Sequence, residues 1–314
     1  MKLENIKKIA CIGAGVIGHS WACAFARGGY GVRLTDVNND LLRKAENGIR
    51  RNYEVFVKKE LIDRDEVESI LRKIELGTDI SWAVEDADFC IESVSENIDL
   101  KKNIFEKMDQ AAPQRSILAS STSGQPITEI AKATKRPEKC VIIHPLNPPH
   151  IIPAVEVVRG ALTSDETADL TVGLLKKIGR KPYVCLKEVP GFVMSRLLTV
   201  MLREALSLLN KGVATVEDID TAINSGLGLR FGLMGVFEIH NLTATGGLEN
   251  FFKNYSGFYR QLWADLEDMK DVTPELAAKA VEGIKKELGD RSQDDIIKWR
   301  DEKLLELMKI RNLI

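Results

Sequence analysis

Along the first part of the chain, short apolar runs alternate with stretches of helical period. Ile6–Ile12 is a mostly apolar run of strand length. Val16–Arg27 follows at helical spacing and places Val16, Ile17, Trp21, Ala24 and Phe25 on one packed face. Gly31–Thr35 starts a second strand. From 38 to 74 the pattern turns charged and helical, carried by Leu41, Leu42, Ala45, Ile49, Tyr53 and Phe56, then by Val67, Ile70 and Leu71. This predicts a helical hairpin set between sheet strands. Strand-like runs resume at Ile74–Gly77, Phe89–Val94, Ile117–Ser121, Val141–His144, Val155–Val158 and Pro182–Leu186. Helices are expected between them, over Lys101–Gln110, Pro126–Ala133 and Asp165–Ile178. Such alternation predicts an α/β fold with a doubly wound, mostly parallel sheet.

Two punctuation marks change the pattern. Pro145-Leu146-Asn147-Pro148-Pro149, with Pro153 beyond, excludes helix and central strand and predicts a shaped loop after a strand ending at His144. Past Glu188-Val189-Pro190-Gly191 strands disappear. Phe192–Asn210, Val216–Ser225, Arg230–Leu242, Leu248–Leu266, Pro274–Leu288 and Asp294–Ile310 all read as helices, with Thr215, Thr273 and Ser292 as N-caps. The expected organisation is a first domain over 1–187 and an all-helical domain over 188–314. Apolar residues such as Phe251, Phe252, Phe258 and Trp263 lead us to expect that the helical domain pairs with a copy of itself.

A chain of 314 residues accommodates two cores. Its net charge of −2 gives no footprint for nucleic acid or an anionic membrane. No apolar run approaches the ~18 residues of a membrane span. Lys2, Lys7 and Lys8 precede an apolar stretch, but Gly13, Gly15, Gly18 and His19 interrupt it, so a strand is expected there and not a secretion leader. The five cysteines have no metal spacing and are odd in number, which points to small core residues in a reduced, cytoplasmic protein.

The first strand and helix enclose Gly13-Ala14-Gly15-Val16-Ile17-Gly18, and Asp36 follows the second strand, 18 residues after the last glycine. In this context the glycines have separate tasks. Gly13 makes the tight turn, Gly15 lets backbone approach a pyrophosphate, and Gly18 lets the helix lie on the sheet. The helix N-terminus offers free N–H groups to phosphate. Asp36 accepts from both ribose hydroxyls and repels a 2′-phosphate, so NAD is expected over NADP. The architecture this implies is Rossmann-type.

Ligands of such sheets lie at the carboxyl ends of the strands. There the chain gathers Ser93, Glu96 and Asn97, then Ser120–Ser123, then His144, with Glu156 on the strand after the proline loop. An alcohol dehydrogenation needs a proton acceptor, and imidazole titrates near working pH. His144 is the candidate base. Glu156, 12 residues on, is placed to return across the loop and hold the other ring nitrogen. Ser123 and Asn147 read either as ordinary turn residues or as donors to the substrate oxygen.

Taken together these segments resemble the L-3-hydroxyacyl-CoA dehydrogenase family over nearly the full chain. The resemblance rests on Gly13–Gly18, the helical hairpin, Glu92-Ser93-Val94-Ser95-Glu96-Asn97 with Lys101, and Ser120–Ser123. His144-Pro145-Leu146-Asn147-Pro148, Glu156-Val157-Val158 and Pro190-Gly191-Phe192 complete it. Pro148-Pro149 and Gly226–Phe231 look like the branch holding lambda-crystallin/L-gulonate 3-dehydrogenase and L-carnitine dehydrogenase. The resemblance implies NAD-dependent oxidation of an L-3-hydroxy substrate, with His144 and Glu156 as a pair assisted by Ser123 and Asn147. It implies cofactor contacts from Asp36, Glu96 and Lys101, beside Gly13, Gly15, Val16, Ile17, Gly18 and Ser93. Members acting on acyl-CoA lack an arginine at the place of Arg230, which suggests a carboxylate partner and a short free acid as substrate. The family has Asn where this chain has Ser195, a further expected substrate contact. The alternatives are a short-chain L-3-hydroxyacyl-CoA dehydrogenase of fatty acid metabolism and a non-catalytic crystallin-like or NAD-sensing protein. Expected partners are therefore the small molecule and a second copy of the chain.

Overall fold

A computed structural model describes residues 2–314. The chain forms two compact units, one running to Arg196 and the other from Leu197 to Ile314.

The first unit is built on eight strands: β1 (Lys8–Ile12), β2 (Gly31–Thr35), β3 (Ile74–Gly77), β4 (Phe89–Glu92), β5 (Ile117–Ser120), β6 (Cys140–Pro145), β7 (Ala154–Val158) and β8 (Lys181–Cys185). They form one sheet in the order β3-β2-β1-β4-β5-β6-β7-β8. All neighbours are parallel except β6 and β7, which run antiparallel. The chain therefore reverses at the loop after His144, where parallel winding ends. Residues of β4 and β5 are buried along their whole length, as expected where helices cover both faces of a sheet.

Helices of this unit are α1 (Val16–Arg27), α2 (Asn39–Lys58), α3 (Arg64–Leu71), α4 (Ile80–Val84), α5 (Ile98–Ala111), α6 (Ile127–Ile130) and α7 (Asp165–Lys177). The last two turns of α1 up to Ala26 are buried all round. Sheet covers one side, and the α2–α3 hairpin covers another, with Tyr53 Oη donating to the Cys23 carbonyl at 3.0 Å. That explains the hairpin's apolar stripe of Leu42, Ala45, Ile49, Tyr53 and Phe56, all buried. Leu41, by contrast, lies one position off the stripe and is exposed. Val16 also departs from expectation. It is 59% exposed, because the first helical turn rises above the sheet edge and meets solvent instead of core. All five cysteines are free and buried.

Pro145 is the last residue of β6 and not part of the loop. The pairing of β5 with β6 stops at Ile142, while β7 continues opposite Pro145. At its end β6 thus has a single neighbour, and the missing proline N–H breaks no ladder on the open side.

The second unit consists of helices: α8 (Met194–Asn210, which begins in the first unit), α9 (Val216–Ala222), α10 (Gly228–Phe231), α11 (Val236–Asn241), α12 (Gly247–Asp265), α13 (Pro274–Leu288) and α14 (Gln293–Ile310). Thr215, Thr273 and Ser292 cap their helices, and Thr215 with Asp218 forms a reciprocal capping box. The single helix expected over Arg230–Leu242 is instead two. A π-helical turn at Ile223–Leu227 runs into α10, and the chain breaks at Gly232–Gly235 before α11 starts. Two glycines in four residues remove the helix preference there. Phe251 is buried inside this unit, while Phe252, Phe258 and Trp263 remain exposed. No helix of the described residues is long and apolar enough to cross a membrane.

Candidate active site

The glycine turn is fitted to a close ligand by sterics. Gly13 has φ +94°, and a Cβ there would lie 2.7 Å from the Ser93 carbonyl oxygen of β4's exit. A Cβ on Gly18 would lie 1.7 Å from the Gly13 carbonyl oxygen, so helix and turn meet backbone to backbone. Gly15 has no heavy atom within 4 Å of its Cβ position, which leaves an open face at the N-terminus of α1. Asp36 is held beside it, its Oδ2 accepting from Ala14 N at 2.6 Å and its Oδ1 from Val37 N at 2.7 Å. Gly13, Asp36, Val37, Ile80, Val94 and Ile104 line a cleft of about 470 Å³ at this point. A cleft of mixed apolar and polar lining with a fixed carboxylate, near an open helix N-terminus, fits the adenosine and pyrophosphate of NAD. Among the described residues no cluster has metal-ligand geometry.

Beside the turn stands a buried carboxylate that sequence reasoning missed. Glu92 ends β4 with no exposure. It accepts from Lys101 Nζ at 2.9 Å, Val94 N at 2.6 Å and Ser120 Oγ at 2.7 Å. Lys101 is itself only 1% exposed. Its ammonium also meets the Val94 carbonyl at 3.2 Å and Glu96 at 3.6 Å. The Lys101 ammonium is thus held at the strand exit by Glu92, the Val94 carbonyl and Glu96. The signal available in sequence was an acid at the end of the apolar run Phe89–Glu92, where an unpaired charge is too costly to bury.

Glu96 is exposed and organises the loop after β5. It accepts from Thr122 Oγ1 at 2.8 Å, Ser123 N at 2.8 Å and Ser123 Oγ at 3.1 Å. Burial pushes its pKa up, but these bonds and the Lys101 charge outweigh it and hold the carboxyl below its ordinary value. The Ser123 hydroxyl hydrogen is thus engaged by Glu96. Ser93 Oγ meets Ser121 Oγ at 2.8 Å, tying the two strand exits together.

The antiparallel pairing of β6 and β7 sets His144 directly opposite Glu156. Side chains facing each other across such a pair project to the same side. His144 Nδ1 lies 2.5 Å from Glu156 Oε2, with Glu156 fully buried and the histidine side chain 11% exposed. The other carboxylate oxygen, Oε1, accepts from Val193 N and Met194 N, both at 2.9 Å, and Cys185 Sγ approaches it at 3.7 Å. Burial alone would raise the Glu156 pKa, yet the His144 bond and the two backbone N–H groups reverse the sign and lower it. The charge of Glu156 in turn adds to burial in pushing the Cys185 thiol up to about 11. Phe192 packs edge-on to the imidazole at 5.9 Å between centroids. Sequence reasoning missed this floor of Cys185, Phe192, Val193 and Met194, because backbone donors leave no signature in residue identity.

The remaining candidates are less engaged. Asn147 is exposed on the loop, three residues after His144. Ser195 is half-buried at the start of α8, next to the Met194 amide that binds Glu156. Arg230 lies in the second unit, exposed, with Nη2 donating to the Ile239 carbonyl at 3.4 Å.

A glycine turn shaped for a dinucleotide and a buried His–Glu pair on one sheet define a nicotinamide-dependent dehydrogenase acting on a CH–OH group. Sequence profiles agree in both parts. Residues 8–189 match the NAD binding domain of 3-hydroxyacyl-CoA dehydrogenase, and residues 191–299 match its C-terminal domain. The chain belongs to the 3-hydroxyacyl-CoA dehydrogenase family. It is 33% identical over 308 residues to an L-carnitine dehydrogenase of a Pseudomonas species, covering 98% of this chain and 94% of that protein. It is also 33% identical over 313 residues to the human lambda-crystallin homolog, covering 98% and 97%. Among solved structures it resembles 5-formyl-3-hydroxy-2-methylpyridine 4-carboxylic acid 5-dehydrogenase, an NAD+-dependent dismutase, with TM-score 0.83, 31% identity and 98% of each chain covered.

Proposed function

We propose that this dehydrogenase oxidises the hydroxyl of a short L-3-hydroxy acid, carried as a free carboxylate, to the ketone. The observation that carries the chemistry is the buried His144–Glu156 pair. With Nδ1 committed to Glu156, the imidazole keeps Nε2 for the substrate, and that nitrogen takes the hydroxyl proton. Glu156, ionised throughout the neutral range by its donors, fixes the tautomer and stabilises the imidazolium that forms. Asn147, and Ser123 once its hydroxyl leaves Glu96, donate to the oxygen as its charge changes. Gly13, Gly15, Val16, Ile17, Gly18 and Asp36 hold the cofactor, with Ser93, Glu96 and Lys101 beside it. Bound NAD supplies the acceptor for the hydride that leaves carbon.

Three considerations favour a free acid. The L-carnitine dehydrogenase relatives match almost end to end. The solved relative named above acts on a molecule with a free carboxylic acid. Arg230 provides a guanidinium suited to bidentate carboxylate binding, with Ser195 as a second polar contact. The rival substrate is a short 3-hydroxyacyl-CoA, as in fatty acid metabolism, supported by the family to which both matched segments belong. We assign 1–187 to the cofactor and 188–314 to substrate and dimerisation. Leu198, Leu202, Phe237, Phe258 and Trp263 of the helical unit are all exposed. Apolar surface on that scale supports a homodimer. Five free thiols support a cytoplasmic setting.

The experiment is a panel of L-gulonate, L-carnitine, 3-hydroxybutyrate and 3-hydroxybutyryl-CoA, followed by NADH absorbance. A free acid giving the highest kcat/KM is expected. Preference for the thioester transfers the assignment to the rival, and no turnover of any member removes the reaction.

A further inference from the structure

Away from the His–Glu pair, the first unit holds a second group of charged and polar side chains that the proposed reaction does not use. Arg27 ends α1, Asn52 lies in α2, and Arg180 immediately precedes β8. With Tyr53, Phe56 and His150 they line a half-open cavity of about 10 Å³. Arg180 Nε and Asn52 Nδ2 are both shut off from solvent; Arg180 Nε has no hydrogen-bond acceptor, and Asn52 Nδ2 has at most the weakly accepting Cys23 sulfur. The charged or titratable neighbours acting on Arg180 are Arg27, Tyr53 and Cys23, with no carboxylate among them. Burial and the Arg27 charge push the Arg180 pKa down to about 10, which still leaves it protonated at neutral pH. Arg27 stands exposed at the mouth, its guanidinium carbon 5.1 Å from the Phe56 ring centroid.

Buried donors without acceptors and two neighbouring cations without a counter-charge each cost free energy. One occupant removes both costs. A water would serve the two donors through its lone pairs, but it brings two hydrogens of its own and no charge. An anion satisfies the donors and neutralises the pair. A cavity this small admits about one water-sized sphere and is open on one side, so a monatomic anion is the class nearest its size and a phosphate is too large.

We propose that this cavity is an anion site of the chloride class, with Arg180 Nε and Asn52 Nδ2 donating to the ion and Arg27 closing the mouth. Such an ion ties together the end of α1, the middle of α2, the turn before β8 and the loop that carries His150. Asn147 rides on that same loop, three residues earlier. Anion occupancy thus reaches the candidate active site through one short segment.

The test uses the full-length protein in sodium gluconate, with chloride exchanged in at constant ionic strength so that screening does not change. Chloride NMR linewidth and thermal midpoint are read together. Excess broadening that saturates in the millimolar range is expected, with a midpoint roughly 2–4 °C higher at saturation. Arg180→Gln is expected to abolish both signals. Arg27→Gln, at an exposed position that leaves packing intact, is expected to weaken the apparent affinity about tenfold. Linewidths that stay at the buffer value would remove the site. Arg27→Gln titrating like the wild type would overturn the residue assignment even if Arg180→Gln does not fold. A midpoint that rises with sulfate and not with chloride would overturn the halide class.

Discussion

Two carboxylates at the carboxyl edge of the sheet are equally buried, and they serve different ends. Glu92, at the end of β4, is bonded to an ammonium, a backbone N–H and a serine hydroxyl. Glu156, in β7, is bonded to an imidazole and two backbone N–H groups. Both are fully buried and both are satisfied. The partner makes the difference. Lys101 is 1% exposed with its ammonium spent on Glu92, and the pair is a strut under the crevice. His144 spends one ring nitrogen on Glu156 and keeps the other for a substrate, so the same carboxylate cage becomes part of a proton acceptor. A charge pair with no free valence supports, and one with a free valence reacts.

The comparison can be broken most severely at Glu156. Glu156→Gln retains shape and loses the charge that orients and stabilises the imidazolium. The expected loss in kcat is about a thousandfold or more, with NAD affinity little changed. A loss under tenfold would equate the two carboxylates.

Glu92→Gln should leave a buried ammonium without its counter-ion. Breaking a pair of this kind costs roughly 3–5 kcal/mol of stability, read by urea unfolding of the first unit. Adding Lys101→Met should recover a large part. If the single variant is as stable as the wild type, the strut description fails. Glu156→Gln is expected to be milder in stability, because the amide oxygen of glutamine can still accept from the amides that hold Glu156.

Arg230→Ala should raise KM for a free acid about ten- to a hundredfold, the size of one lost charge-assisted contact, with kcat nearly constant. An unchanged KM for the acid would place substrate recognition elsewhere.

The smallest effect is the pH dependence of stability. Glu156 and Glu96 both have carboxyl pKa values lowered by folding. Each contributes stability that is fully present above the unfolded value of about 4.3 and is lost as pH falls through the lowered folded value. The thermal midpoint of the wild type should therefore fall below about pH 4.5, and Glu156→Gln should show a shallower fall. A steeper fall in the variant would reverse the assigned sign.

Much of this was legible in the residues. Alternating apolar runs located all eight strands, since β-branched and apolar clusters between turn residues have few other uses. The strand, helix and strand between the glycine turn and Asp36 have standard lengths, and Gly13 and Asp36 do line one cleft. Other features were not legible. The pairing of Glu92 with Lys101 has no signature in their spacing, and both side chains are buried. Val16 looks apolar and packed, but its place in the first helical turn leaves it in solvent. The break between α10 and α11 was hidden because apolar periodicity continues across Gly232–Gly235. The amides of Val193 and Met194 hold Glu156, and amides of any two residues would do the same.

The central claim is that His144, held by Glu156, is the proton acceptor of the oxidation. It is tested most directly by measuring kcat and the NAD dissociation constant of His144→Gln side by side. A kcat reduced about a hundred- to ten-thousandfold is expected, with NAD binding within about twofold of the wild type. Turnover at the wild-type rate with NAD still bound would contradict it.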